Sequence, residues 1–217
     1  MMKTFARPTP RAARTRQALL AAGFDLLAQR PIDAIPIDDV VAKAGVAKGS
    51  FFNHFADKAD FAAAVAAEVR AEMERRVGEA NDDVHDPLTR LVGGMRVAIE
   101  FALTDRKQAI VMLRGLQWST ARAHPLNSGI LADIDAAVGK GLIRSEAANV
   151  GVLYWLALCQ MTMINVIERR MSRIEAGERM REVLLLALAG LGVNCEKAAE
   201  LAGDAKTRML ESPRKLL

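Results

Sequence analysis

The chain lacks most of what marks a secreted, metal-dependent or catalytic protein. Only two of its 217 residues are cysteine. Cys159 and Cys195 stand far apart with no Cys-x-x-Cys pair, so neither a disulfide framework nor a zinc site is indicated, and a reducing cytoplasmic setting is expected. The three histidines, His54, His85 and His124, form no paired metal-binding pattern, and Gly-x-Ser-x-Gly, Gly-x-x-x-x-Gly-Lys-Ser/Thr and Gly-x-Gly-x-x-Gly are all missing. No catalytic residues, metal or cofactor are therefore expected. Alternating β-branched runs and Asn-Gly or Asp-Gly hairpin turns are absent too, which argues against sheets. The basic start is followed by no apolar stretch of secretory type. The most apolar segment, Val150–Ile167, is broken by Gln160, Thr162 and Asn165 and falls short of the roughly 20 clean residues of a membrane span, so no membrane partner is expected.

What is present is helical. The composition is 51% hydrophobic and 26% charged, that of a folded chain long enough for one large or two small domains. Ala, Leu, Met, Arg and Glu recur at helical spacing from end to end, predicting an all-α fold of about nine to ten helices. Leu19, Ala22, Leu26 and Leu27 form one buried stripe of a first helix over 15–29 that ends at Arg30-Pro31. A short helix over 36–44 follows, with Asp38 and Asp39 at the positive end of its dipole, and Gly45 closes it. A second short helix over 47–55 leads to a long alanine-rich helix over 58–77. Further helices are predicted over 87–103, 106–118, 127–138, 145–171 and 177–191, and 194–217 reads as a charged tail with one weak helix.

Charge is distributed unevenly. Residues 1–30 carry Lys3, Arg7, Arg11, Arg14, Arg16 and Arg30 against Asp25 alone, so the net +4 of the whole chain is an N-terminal feature. It lies beside the one arrangement that carries chemistry: two short helices joined through Ala44-Gly45-Val46. Glycine permits the positive φ of a sharp turn, and Val41, Val46 and Phe51 pack between the helices of such a helix-turn-helix. The unit aims its second helix into a DNA major groove. Here that helix offers Lys48, Ser50, Asn53 and His54: Lys48 and Ser50 near its start for phosphate oxygens, Asn53 for a base edge or phosphate, and Gly49 to allow close approach. The arm with Arg7, Arg11, Arg14 and Arg16 either follows phosphates or the minor groove, or is a solvated tail.

The stretch PIDDVVAKAGVAKGSFFNHFADKADF at 36–61, with RQALLAAGFDLLAQR at 16–30 leading in, resembles the signature of tetracycline-repressor-type (TetR family) transcriptional regulators. The resemblance covers roughly residues 11–70, with the helix-turn-helix at 36–55. It implies a three-helix DNA-binding domain in which Lys48, Ser50 and His54 approach phosphates and Lys58 clamps the backbone, with Gly49 and Phe55 structural. Three departures stand out. Phe52 replaces a common tyrosine, losing a phosphate hydrogen bond while leaving a ring for stacking or a thymine methyl; Ala47 replaces the usual Ser/Thr cap; and Ile35-Pro36 replaces the Ser/Thr lead-in.

Residues 71–194 resemble the family only in length and helical character, and are expected to form a regulatory and dimerisation domain, followed by a charged tail over 195–217. A helix as uniformly apolar as 150–167 must be buried all round, so one face is expected to pack inward and the other to meet a second copy, with 183–191 as the other interface helix and Trp155, Leu184 and Leu188 in the contact. Met112, Trp118, Tyr154 and Met161 are candidates for an apolar effector pocket, since methionine is adaptable and aromatic residues offer a polar handle; ordinary core is the alternative for each. The expected function is that of a dimeric repressor on a palindromic double-stranded DNA operator, released by a small-molecule effector, with control by a protein partner as the alternative.

Overall fold

The computed structural model describes residues 9–115 and 124–211. Among them every regular element is helical, with ten α-helices and two 3-10 turns. The chain divides into two compact units, one running through Val69 and joined by the segment from Ile110, the other formed by Arg70–Ala109 and the remainder.

The first unit begins with α1, Pro10–Leu27. It starts earlier than the periodicity predicts because Thr9 Oγ1 accepts from Ala12 N at 3.3 Å and Pro10 stands at the first helical position, where its missing N–H costs nothing. Arg11, Arg14 and Arg16 are thereby helical residues and do not form an extended arm; Arg7 lies outside the described residues. A 3-10 turn at Ile32–Ala34 leads to α2, Ile37–Ala44, and α3, Lys48–Phe52. Phe61 meets Phe51 and Phe55 edge-on while those two rings are tilted to each other, with centroids 5.0 to 5.6 Å apart, and with Leu19, Leu27 and Ile35 they form the core of the unit. Gly23 of α1 is a point of close passage: a β-carbon there would lie 2.3 Å from the tip of the Phe61 ring. The segment from Ile110 completes the unit. Arg114 donates from Nη1 to the carbonyl of Leu27, capping α1, and a β-carbon at Gly115 would sit 2.1 Å from that of Ala66.

The long helix α4 spans Lys58–Ala80. It continues past Gly78 because the Glu72–Arg75–Arg76–Glu79 pairs staple its last turns. Hydrogen bonds from Arg75 and Arg76 pull the Glu72 carboxyl down to about 2. In the second unit α5, Pro87–Thr104, is central and packs against α7 (Ser128–Gly139), α8 (Ala147–Glu168), α9 (Arg173–Gly190) and α10 (Cys195–Glu211). Between them α6, Arg106–Arg114, carries the chain back to the first unit. α9 starts four residues before the predicted boundary because Ser172 and Glu175 form a reciprocal capping box.

The charged-tail reading of 195–217 is corrected. Cys195–Glu211 is a helix whose Ala198, Leu201, Ala202, Ala205 and Met209 are buried, at one-face spacing, against α9 and α5. Residues 212–217 lie outside the described set. α8 alone among the described helices is long and apolar enough to cross a membrane, and half of its apolar window is buried within the chain.

Candidate nucleic-acid interface

The turn between α2 and α3 is built on Gly45, at φ 66°. That left-handed position lets the Val46 N–H reach back to the carbonyl of Val41 at 3.0 Å, closing the helix end. No side chain caps α3: Ala47 occupies that place without a hydrogen bond, and α2 likewise begins behind Pro36 uncapped. α3 is held instead from below, through the fully buried Phe51.

Its outer face carries the residues that sequence reasoning singled out. Lys48, Gly49, Phe52 and Asn53 are exposed, while Ser50, His54 and Lys58 are half-buried. Gly49 has open space where a β-carbon would be, so nothing within the chain requires glycine there, and the bare backbone leaves room for a partner to come close. Phe52 is 55% exposed and stands edge-on against Phe51, centroids 5.3 Å apart, a rigid apolar ring in a polar surface. Lys48 is paired with Asp38 of α2 at 2.8 Å, and Lys58 Nζ donates to the carbonyl of Asp33 at 3.2 Å. Both ammonium groups are thereby tethered at the helix-turn-helix by exposed contacts that hold them only weakly.

The basic residues of α1 divide. Arg14 is exposed, its Nε donating only to the carbonyl of Pro10. Arg16 is engaged inward: its guanidinium lies 5.5 Å above the Phe55 ring and 3.6 Å from the Glu68 carboxylate. Sequence reasoning could not separate the two, because both lie in one run of arginines.

In the second unit the predicted residues are redistributed. Trp155, Leu184 and Leu188 point into the chain's own core, at 2%, 0% and 0% exposure, so they are corrected from interface to core. The α8 face that remains open carries Val150, Leu153 and Met161, and α9 adds Leu186 at 76% exposure. Met161 is therefore surface and does not line an interior pocket, whereas Met112 is buried in the unit that carries the helix-turn-helix. Tyr154 donates from its hydroxyl to the carbonyl of Ala187 at 3.2 Å, over Gly190, where a β-carbon would strike it at 2.4 Å. Trp118 lies outside the described residues. His124 turns its Nδ1 to the Leu126 N–H and caps a 3-10 turn.

What sequence reasoning missed is polar. Arg70, Asn81, Asn127 and Thr162 are buried, and Gln160 Nε2 is shielded from solvent with no acceptor among the described residues. Arg70 reads in sequence as one of many arginines on a charged helix. Its only signal is position, four residues after the buried Ala66 and next to Val69 on the α4 stripe.

Comparison with known proteins agrees with this geometry. Residues 19–65 match the family model for bacterial regulatory proteins of the tetR family. The chain is 29% identical over 106 residues to the HTH-type transcriptional repressor BepR of Brucella suis, covering 48% of this chain and 51% of that protein. It is 33% identical over 95 residues to the transcriptional regulator AcuR of Cereibacter sphaeroides, covering 43% of each. The chain thus spans about half the length of these relatives. Among solved structures, RolR in complex with resorcinol superposes with a TM-score of 0.64 at 20% identity, over 90% of this chain and 96% of that one. The regulator FadR of Bacillus subtilis in complex with stearoyl-CoA gives 0.60 at 16%, over 80% and 98%. At these identities the likeness is one of fold. The Gly45 turn, the exposed face of α3 and the matched segment around them agree: residues 19–65 form a segment of the kind found in bacterial regulatory proteins of the tetR family.

Proposed function

We propose that the protein is a one-component transcriptional repressor that binds a palindromic operator as a homodimer and is released by a small-molecule effector. The observation that carries the reading is α3: a short helix fixed by the Gly45 turn and the Phe51 anchor, presenting Lys48, Gly49, Phe52 and Asn53 outward. Such a helix gains sequence selectivity from Asn53 and Phe52 and affinity from Lys48, Ser50 and His54. Arg14 and Lys58 add backbone contacts on either side.

Dimerisation is supported by the open face of α8. Val150, Leu153 and Met161 recur there at helical spacing with Leu186 on α9 nearby in the same unit, an apolar stripe of the kind that meets a second copy. A two-fold pair of α3 helices reads half-sites one DNA turn apart. Effector control is supported by the ligands of the two structural neighbours, resorcinol and stearoyl-CoA. The energy required is modest: an effector that prefers the released form by about 3 kcal/mol weakens operator binding about 150-fold.

Selection of bound sequences from random duplex DNA tests the reading. Enrichment of a palindrome, bound with a steep dependence on salt concentration, is the expected result. A folded, dimeric protein that enriches no sequence would sink it. On the enriched operator, Lys48→Ala lowers the slope of log affinity against log salt by about one per half-site.

A further inference from the structure

Four of the described residues hold a left-handed backbone. Three are glycine, Gly45, Gly141 and Gly192, and the fourth is Arg170, at φ 49°. It stands just past the end of α8, where its N–H donates to the carbonyl of Ile167 and the Met171 N–H to the carbonyl of Val166, both at 3.2 Å. Glycine serves such a closing turn best, because a β-carbon is crowded in this conformation. Positive charge at the end of α8 is already supplied without strain by Arg169, and by Arg106, whose Nη1 donates to the Ile167 carbonyl at 2.6 Å. The turn itself therefore gives no reason for arginine at 170, and the reason lies with its side chain.

That side chain lines an open groove of about 350 Å3 within the second unit, a volume in the range of small-molecule sites. Ala102 and Leu103 of α5, Val166 of α8 and Met171 give it an apolar wall, and Arg106, the first residue of α6, joins Arg170 as its charged part. Among the described residues no carboxylate lines it. Every arginine of α4 and α5 is paired with an acid, whereas Arg106 and Arg170, both exposed, are paired with none among the described residues. Asp105, the acid beside Arg106 in sequence, is taken by Arg76 at 2.7 Å.

We propose that this groove binds an amphipathic oxyanion: a small molecule whose carboxylate or phosphate head meets the guanidiniums of Arg106 and Arg170, and whose apolar body covers Leu103, Val166 and Met171. Two guanidinium forks without a counter-ion select a planar or tetrahedral oxyanion. Exposed charges hold an ion only weakly, so the head is insufficient alone, and the apolar wall supplies the rest by giving the body a surface to leave water against. The residues concerned lie outside the helix-turn-helix, and the site does not depend on the repressor reading.

The test is calorimetric titration of the full chain without DNA. Decanoate and decyl phosphate are the amphipathic probes, decan-1-ol is the body without charge, and acetate is the head without a body. The expected result is that at least one of the two anions binds about tenfold or more tighter than decan-1-ol, with no measurable heat from acetate; the ranking of decanoate against decyl phosphate then identifies the head. Arg170→Gly is the decisive variant. It removes the guanidinium and restores the residue that the turn favours, so the Tm holds or rises while the bound anion weakens about tenfold or more. Arg170→Lys, which keeps the charge and loses the fork, weakens it less. No binding of either anion, decan-1-ol binding as tightly as the anions, or unchanged anion binding in Arg170→Gly would each overturn the proposal. So would a fall in the Tm of that variant, which would make the side chain a brace of the fold, or a loss of its operator affinity in the absence of any probe, which would assign the arginine to a DNA-binding surface.

Discussion

Gly23 shows how much of this molecule turns on single side chains. The Phe61 ring that a β-carbon would strike is wedged between Phe51 and Phe55, so it cannot swing aside, and Gly23→Ala is expected to cost about 1 to 3 kcal/mol by overpacking, read as a lowered urea midpoint. The two cysteines should separate cleanly. Cys195 is exposed and Cys159 buried, so Ellman's reagent at pH 8 titrates one thiol in the native protein and two in denaturant. Because the folded Cys159 is raised to about 12 from 9.0, its contribution to stability is complete below about pH 9 and is lost between there and pH 12; Cys159→Ala should flatten that alkaline decline in the unfolding free energy. On the surface proposed to meet DNA, Asp38→Asn frees Lys48 from its exposed partner, and operator affinity should rise by up to about fivefold at low salt. Residue types and spacing made the exposure of Lys48, Gly49, Phe52 and Asn53 on α3 legible in advance, because the anchor Phe51 fixes which face of so short a helix turns inward. The buried contact of Arg70 with Asn127 was not legible: its members come from α4 and the start of α7, and no local pattern joins them.

At the level of elements the sequence was most informative where caps and breakers are explicit. Gly45, which closes α2, and Pro87, which opens α5, both mark what the structure contains. It misled where the signal is alanine. α10 buries mostly small residues on one face, and against a background of Glu, Lys and Arg that stripe reads as a solvated tail. Caps give direct tests. Ala47→Ser supplies the side-chain acceptor that α3 lacks and should add about 0.5 to 1 kcal/mol of stability to the free protein, seen as slower amide exchange at Ser50 and Phe51. Ser172→Ala removes half of the α9 capping box and should cost about 1 kcal/mol, read as a fall in Tm.

For the whole molecule, helix count and the separation of a DNA-binding end from a helical remainder followed from periodicity and from the family resemblance. Which apolar residues face inward did not, because α8 is apolar on every side and only packing distinguishes its faces. Two substitutions a residue pair apart express that difference. Leu153→Glu, on the open face, should convert a dimer into a folded monomer in sedimentation equilibrium, whereas Trp155→Ala, in the core, should leave association unchanged and lower stability by about 3 to 5 kcal/mol. The first unit, finally, is discontinuous: Arg114 caps α1, and Gly115 passes against Ala66, from a segment that follows the first part of the second unit in the chain. During synthesis the DNA-binding end therefore stays unfinished until α5 and α6 have left the ribosome, a delay of several seconds at ordinary translation rates of about 5 to 20 residues per second. A nascent chain arrested after α4 should be protease-sensitive throughout its helix-turn-helix, and one arrested beyond α6 should not.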